Sequence, residues 1–358
     1  MQTPSVRILG LMSGTSLDGL DLCLCSFSSS GGKLSYTIEA SETVTYPDSL
    51  AERLKYCHLD SAEHFLLLHN EFGRYCGDVC KAFLVGKPQP AAIASHGHTV
   101  FHQPDRMFTF QIGSGASIMA QSGLDTICDF RTSDVAFGGQ GAPLVPIGDK
   151  LLFGDYDYCL NIGGFANISS IHNNQSLAYD ICAANFVLNE LCGRLGLPYD
   201  DGGMIARNSK CNSDLLFALN KLDFYALPAP KSLGREWAEL KIFPVLTDSG
   251  LKSEDLIATY TEHIAVQVAR CITKDRTVPK MLVTGGGAHN HFLLERIVAH
   301  SGVQICTVTE QIVNFKEALI FALLGYLFLQ GQNNCLSEIT GASVPCIGGA
   351  LYKAPKKK

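Results

Sequence analysis

The stretch from Gly10 to Asp21 holds the residue types that phosphate chemistry requires. It reads Gly-Leu-Met-Ser-Gly-Thr-Ser-Leu-Asp-Gly-Leu-Asp and joins two short apolar runs. Glycines let backbone N–H groups approach a phosphate closely, hydroxyls donate further hydrogen bonds, and carboxylates can reach Mg²⁺ directly or through its waters. No Gly-Lys-Ser/Thr follows, so this is not a Walker loop. We predict a tight turn between two strands that holds a phosphate and its metal, with an ordinary hairpin turn as the alternative.

Two carboxylates and one guanidinium stand where predicted elements begin or end. Asp180 ends a strand, where it can act as a general base or cap the helix that follows. Glu317 opens the last helix, where it can contact a substrate or only offset the helix dipole. Arg131 follows a strand and can bind a carboxylate or phosphate with two parallel donors, or pair with Asp134.

Three histidines, His96, His98 and His102, have a spacing that invites a metal interpretation. No cysteine or carboxylate ligands accompany them, and their segment reads as a strand end. We therefore predict no metal bound directly to these side chains. His96, Gly97 and Thr99 are expected to line a substrate pocket instead.

The same order of elements occurs twice along the chain. In the first half the pattern predicts strands, a long helix, a strand, a helix and a strand, at 6–11, 20–27, 34–44, 62–84, 91–95, 115–121 and 126–130. In the second half it predicts strands at 158–162, 166–171, 176–181, 281–284 and 303–308, with helices at 185–192, 253–271, from 292, and at 315–329.

This repetition predicts an α/β protein made of two duplicated domains, each with a mixed five-stranded sheet and helices on both faces. The predicted domains are residues 1–130 with 331–358, and residues 131–330. Glycine-rich strand ends would converge on an interdomain cleft, where ligands of such folds bind. Gly138 to Gly141 would form a flexible crossing between the domains.

Composition narrows the function classes. The chain has 358 residues, 46% apolar and 17% charged, with a net charge of -6, which excludes a disordered chain and gives no basic face for nucleic acid. It has neither a membrane-length apolar run nor a signal-peptide pattern, so we expect no membrane association. Its 14 cysteines lie mostly in apolar runs without paired C-x-x-C spacing, as is typical of reduced thiols in a cytoplasmic protein.

Nine motifs in order make the chain resemble the anhydro-N-acetylmuramic acid kinase family over essentially its whole length. They begin at Gly10, Ser95, Asp129, Gly138, Leu160, Lys231, Gly285, Lys316 and Thr340, and include Ser-His-Gly-His-Thr-Val-Phe-His, Leu-Asn-Ile-Gly-Gly-Phe-Ala-Asn and Gly-Gly-Gly-Ala-His-Asn. The resemblance implies an RNase H-like, actin-like ATPase fold, shared with Hsp70 and hexokinase.

The resemblance also implies an activity. A family member opens the 1,6-anhydro ring of anhydro-N-acetylmuramic acid with water and transfers the ATP γ-phosphate to O6, in peptidoglycan recycling. The implied catalytic residues are Asp180 and Glu317, and the implied sugar contacts are His96, Gly97, Thr99, Arg131 and Asp134. The implied ATP contacts are Gly14, Thr15, Ser16, Leu17, Asp18, Gly19, Leu20, Asp21, Gly163, Gly164, Asn167, Gly285, Gly286, Gly287 and Asn290. The resemblance further implies that the protein uses ATP with Mg²⁺ and forms a homodimer.

Three places in the chain depart from the family pattern. Where members usually have Asp-Thr-Gly-Pro-x-Asn, this chain has Asp-Ile-Cys-Ala-Ala-Asn from Asp180 to Asn185. At 199–203 the spacing of the second acid differs, and His98 replaces a glutamine. A kinase for another anhydrosugar or amino sugar, or an ATP-driven binding protein without sugar chemistry, is therefore the alternative function.

Overall fold

A computed structural model describes residues 4–14, 17–172, 175–229, 231–273, 278–306 and 308–355. The chain forms two compact units. Unit 1 comprises Met1–Leu152 with Phe315–Lys358, and unit 2 comprises Phe153–Asn314. The chain passes from unit 1 to unit 2 between residues 152 and 153 and returns to unit 1 between residues 314 and 315. The sequence analysis placed these two boundaries between residues 130 and 131 and between residues 330 and 331. Two segments account for the difference, because 131–152 and the last long helix pack within unit 1.

The described residues form the following strands and helices. The strands are β1 (Val6–Ser13), β2 (Leu20–Ser30), β3 (Lys33–Val44), β4 (Ala92–Gln103), β5 (Phe108–Ile112), β6 (Thr126–Cys128), β7 (Tyr158–Ile162), β8 (Phe165–His172), β9 (Gln175–Ala183), β10 (Lys280–Thr284), β11 (Gln304–Cys306) and β12 (Ala350–Tyr352). The helices are α1 (Asp48–Tyr56), α2 (Ala62–Phe83), α3 (Gly115–Ser122), α4 (Thr132–Ala136), α5 (Pro146–Leu152), α6 (Asn185–Gly193), α7 (Met204–Arg207), α8 (Ser213–Asn220), α9 (Arg235–Trp237), α10 (Phe243–Asp248), α11 (Ser253–Arg270), α12 (His291–Ser301), α13 (Glu310–Leu329) and α14 (Ser337–Thr340).

The sheet of unit 1 runs in the order β12-β6-β4-β1-β2-β3, with β5 paired to β4. β1, β2 and β3 are antiparallel neighbours, while β4 lies parallel to β1 and β6 parallel to β4. The two strands β5 and β12 extend the predicted five to seven. The strand predicted at 126–130 ends at Cys128 instead, because Asp129 adopts a left-handed φ of 60°.

Helices cover both faces of this sheet, as the sequence predicted. On one face Leu9, Leu11 and Leu22 form a core with Phe72 and Cys76 of α2. On the other face α13 approaches so closely that a Cβ on Gly10 would overlap the carbonyl oxygen of Ala318. Glycine is therefore required where β1 meets this helix.

Helix α13 begins at Glu310, before the predicted start at 315, and has a non-helical residue, Phe315 (φ -118°), at the boundary of the two units. Its length and composition would suffice to cross a membrane, although it contains Lys316 and Glu317. From Lys316 to Leu327 most of its side chains are buried within the protein. Burial of this kind is what the core helix of a globular domain shows.

The sheet of unit 2 repeats the order and strand directions of unit 1. Its order is β11-β10-β7-β8-β9, with β7, β8 and β9 antiparallel and β10 parallel to β7 and β11. A core of aliphatic side chains from β7, β8 and β9 packs against α6 and α11. The predicted duplication of a mixed α/β domain is therefore confirmed.

Candidate functional site

The turn between β1 and β2 is where the sequence placed the phosphates. Strand pairing closes it at Ser13 opposite Leu20. Thr15 and Ser16 lie outside the described residues. Gly14 accepts a hydrogen bond from Leu17 N at 3.3 Å, and Leu17 has a left-handed φ of 58°. The side chain of Leu20 is part of the core of unit 1, and that of half-buried Leu17 packs against this core.

Two carboxylates lie beside this turn, and Asp21 is half-buried whereas Asp18 is exposed. Thr43 Oγ1 donates to Asp21 Oδ1 at 2.6 Å. Burial raises the pKa of Asp21 to about 6, against the lowering effect of the Thr43 hydroxyl, and the nearby charge of exposed Asp18 adds to the rise. An added cation would relieve this repulsion.

Glu317 belongs to the same group of charges in unit 1. Burial, and next the charge of Asp21, raise the pKa of Glu317, whereas Lys316 and Arg131 lower it. The neighbouring Lys316 points into the interior and pairs with Asp149 of α5 at 2.6 Å. Glu317 lies two positions after the non-helical residue Phe315, so it is in the first turn of the helical stretch that follows this break, where the sequence placed it.

Arg131 does not form the salt bridge to Asp134 that the sequence offered as an alternative. Its Nε and Nη2 lie 3.2 and 2.9 Å from His96 Nε2, and its Nη1 donates to the Gly141 carbonyl at 2.7 Å. Burial, and then the Arg131 charge, hold the pKa of His96 well below its usual range, so His96 is neutral and accepts through Nε2. Burial lowers the pKa of Arg131 to about 10, while Glu317 acts in the opposite direction.

Asp134 has a structural role in this geometry. It has no exposed surface. Its Oδ2 accepts from Gly141 N and its Oδ1 from Thr340 Oγ1, both at 2.7 Å. It thus holds the Gly138–Gly141 turn, which lies within unit 1 rather than crossing between domains, to the Thr340 segment.

The histidines of β4 have separate partners, which argues against a shared metal. His98 Nδ1 lies 3.1 Å from Ser13 Oγ, and His102 Nδ1 lies 3.1 Å from Thr109 Oγ1. Burial lowers the pKa of His98 to about 4. Gly97 is buried with a φ of 75°, and Thr99 is half-buried opposite Gln111 of β5.

Asp180 is the central acid of unit 2. Its Oδ2 accepts from Leu233 N at 2.9 Å and from Ser232 Oγ at 3.1 Å. Burial raises the pKa of Asp180, and these two hydrogen bonds oppose the rise. Among the described residues no partner is seen for Oδ1. Asp180 does not cap α6, whose N-cap residue is Ala184.

Asn167 lies directly opposite Asp180 in the pairing of β8 with β9. Directly opposed residues project to the same face of a sheet, so the structure brings together one predicted ATP contact and the predicted base. A register shift lies beside this pair, between Ala166 and Asn167. Irregularities of this kind are common next to active sites.

The stretch that departs from the family pattern is interior. Ile181, Cys182, Ala183 and Ala184 are all buried, with exposures of 2% or less. Asp180 and Asn185, which frame it, are half-buried. The substituted side chains therefore fill the core beneath the strand end.

The other predicted glycines of unit 2 gather at the ends of β7 and β10. The carbonyls of Gly163 and Gly164 accept from the backbone at the start of α6, including Asn185 N at 3.1 Å. Gly287 lies against Ile162, where a Cβ would overlap that side chain, and Gly286 is exposed. Asn290 Oδ1 caps α12 by accepting from Leu293 N at 2.9 Å, so its carbonyl is already engaged.

Sequence reasoning missed the residues that hold these charged side chains in place. Thr43 holds Asp21, Ser232 and Leu233 hold Asp180, and Asp149 holds Lys316. The motif from Lys231 to Glu236 carries no role assigned from the sequence, and it is the signal that could identify Ser232. A threonine on β3 carries no comparable signal.

Comparison with known proteins gives a consistent result. The family model described as "Anhydro-N-acetylmuramic acid kinase" matches residues 6–354. Proteins with that name from Saccharophagus degradans and Synechococcus elongatus are 36% and 34% identical, covering 98% and 97% of this chain and 99% of each relative. Among solved structures, the Acidaminococcus fermentans (R)-2-hydroxyglutaryl-CoA dehydratase component A aligns over 89% of this chain and 96% of its own, with 15% identity and a TM-score of 0.45, too low to support an argument.

Proposed function

The chain belongs to the anhydro-N-acetylmuramic acid kinase family, and from this premise we propose that Asp180 is the general base of its reaction. The enzyme is a kinase that uses ATP and a small sugar.

The geometry of the Asp180 carboxylate is the observation that supports this role most directly. One oxygen is fixed by Leu233 and Ser232, so the group has a defined orientation. The other oxygen is left to accept a proton. Burial raises the pKa of Asp180 toward the working pH, which is what general-base catalysis requires.

Apart from one proton transfer, the proposed reaction forms two bonds and breaks two. A water oxygen attacks the anomeric carbon while Asp180 takes its proton. The bond from that carbon to O6 breaks, and O6 keeps the electron pair. O6 then bonds to the γ-phosphorus, and the bond from that phosphorus to the ADP oxygen breaks. The protein contributes orientation and neutralisation of charge.

Mg²⁺ is proposed to bind with ATP beside Asp18 and Asp21. The donor set fits, since Mg²⁺ takes carboxylate and phosphate oxygens. A cation would also offset the charge of Asp18, which adds to the rise that burial causes in the pKa of Asp21. When bound, the ion would neutralise charge on the transferring phosphoryl group. Glu317 is proposed to contact a sugar hydroxyl or orient the water.

Arg131 and His96 are proposed to bind the sugar. Arg131 is oriented by the Gly141 carbonyl and by neutral His96, and a buried guanidinium is suited to the lactyl carboxylate that distinguishes muramic sugars. Thr99 and Gly97 would complete this surface. The β1–β2 turn, Gly163, Gly164, Asn167, Gly285–Gly287 and Asn290 remain proposed ATP contacts.

A cytoplasmic homodimer in peptidoglycan recycling is the proposed setting. All 14 cysteines are free thiols, as in proteins of reducing compartments. The dimer is an expectation from the family, and sedimentation equilibrium would test it.

The test of the base is Asp180→Asn, with exposed Asp248→Asn of the same unit as control. We expect Asp180→Asn to lower kcat by about 10³-fold or more while ATP affinity stays within about twofold, and Asp248→Asn to match the wild type. ADP release would be followed with the anhydrosugar in ¹⁸O-water, where the label should enter the anomeric hydroxyl. Near-normal turnover of Asp180→Asn, or label in the phosphate instead, would refute the assignment.

A further inference from the structure

Cys335 and Cys346 face each other across an isolated antiparallel bridge in the C-terminal part of unit 1. Cys335 N donates to the Cys346 carbonyl at 3.1 Å, and Cys346 N donates to the Cys335 carbonyl at 3.4 Å. Residues that exchange both backbone hydrogen bonds in an antiparallel pair have Cα atoms about 5.5 Å apart. Disulfides span Cα separations of about 4.4–6.8 Å, so the backbone is already at the right distance.

The two thiols also lie close to each other. Their sulfurs and a carboxylate oxygen of Asp134 are all within 4.8 Å of one another. Cys335 Sγ donates to the Phe130 carbonyl at 3.5 Å and is 1% exposed, while Cys346 is 8% exposed and is flanked by exposed Val344 and Ile347. Cys346 is thus the thiol that an oxidant reaches first.

We propose that Cys335 and Cys346 form a reversible intramolecular disulfide when the protein meets an oxidised low-molecular-weight disulfide. The Cys346 thiolate attacks one sulfur of the small disulfide and forms a mixed disulfide with it, while the other half of the small disulfide leaves as a thiolate and takes up a proton. The Cys335 thiolate then attacks Cys346 Sγ and displaces the second small thiol. The protein loses two electrons and two protons, and the small disulfide gains them.

The disulfide would close a covalent ring made of residues 335–346, and this is the segment that holds Asp134 in place. Within that ring Thr340 donates its hydroxyl to Asp134, and its carbonyl accepts from Gln140 N at 2.7 Å. Asp134 in turn holds Gly141, whose carbonyl orients Arg131. Because the unfolded chain loses freedom when the ring is closed, the oxidised protein should be more stable.

The local environment predicts a slow reaction at neutral pH. Burial raises the pKa of both Cys335 and Cys346 above the ordinary thiol value. Only the thiolate attacks a disulfide, so the rate should rise as the pH is raised.

The experiment incubates the full chain with oxidised glutathione at about pH 7 and about pH 8.5, followed by alkylation and peptide mapping. We expect a peptide linked through Cys335 and Cys346, a mass loss of about 2 Da, faster formation at the higher pH, and reversal by dithiothreitol. The melting temperature should rise by a few degrees on oxidation. Exposed Cys211 provides the matched control, because Cys211→Ser should form the same bond and Cys346→Ser should not.

Three results would overturn the proposal. One is a wild-type protein that stays fully reduced at both pH values while a reference dithiol is oxidised. Another is linkage through a different cysteine pair. The third is an absorption band of thiolate bound to added Co²⁺ that is lost in Cys346→Ser, with no disulfide formed, which would make the cluster a metal site. Peptide mapping of the oxidised wild-type protein shows whether the Cys335–Cys346 bond forms, even if a serine variant fails to fold.

Discussion

Removal of one partner of the Lys316–Asp149 ion pair should destabilise unit 1 strongly. The two charged atoms are 2.6 Å apart, and the side chains are only 4% and 3% exposed. With an effective dielectric constant of about 20, the Coulomb attraction at that distance is about 6 kcal/mol. Desolvation offsets much of this attraction, so the pair contributes little net stability, but an unpaired buried charge typically costs about 3–5 kcal/mol. We expect that loss for Asp149→Asn.

The assay is urea unfolding of each variant, followed by circular dichroism. Lys150→Ala is the control from the same helix, since Lys150 pairs with Glu338 at 3.4 Å and the two side chains are 33% and 44% exposed. It should change the free energy of unfolding by less than about 1 kcal/mol. The double variant Asp149→Asn, Lys316→Met should recover part of the loss, because no charge is left unpaired. An Asp149→Asn variant within about 0.5 kcal/mol of the wild type would refute the reasoning.

Two further outcomes concern carboxylates of unit 1. The pKa of Asp21 is about 6 in the folded state, above the ordinary value of 3.8, so ionised Asp21 costs stability above pH 6 and the cost disappears as the pH falls toward 4. Asp21→Asn should therefore raise the melting temperature at pH 8 but not at pH 4, while abolishing kinase activity; an equal shift at both pH values would contradict this. Thr340→Val leaves an oxygen of buried Asp134 without its donor and should cost about 1–3 kcal/mol in urea unfolding. Exposed Ser343→Ala should cost less than about 1 kcal/mol, and equal losses in the two variants would contradict the role of Asp134.

The repeated element order was predictable because hydrophobic periodicity is local. The alternation of β3 and the helical spacing of α2 are visible within short windows of sequence. The matching sheet orders of the two units followed from that repetition.

The supporting contacts of the candidate site were not predictable in this way, because they join distant residues. Thr340 and Asp134 are 206 positions apart, and Ser232 and Asp180 are 52 apart. The unit boundary was likewise misplaced, since the packing of α5 against α13 depends on Gly148 lying beside Ile320. Such pairings become visible only once the chain has folded.

The buried stretch between Asp180 and Asn185 bears on how this family is recognised. Its four central side chains are interior, so the physical constraints on them are those of volume and hydrophobicity. A search pattern that demands threonine, glycine and proline at those positions would overlook this chain, although its acid and amide both remain. Diagnostic signatures for these kinases should weight the two framing residues above the letters between them.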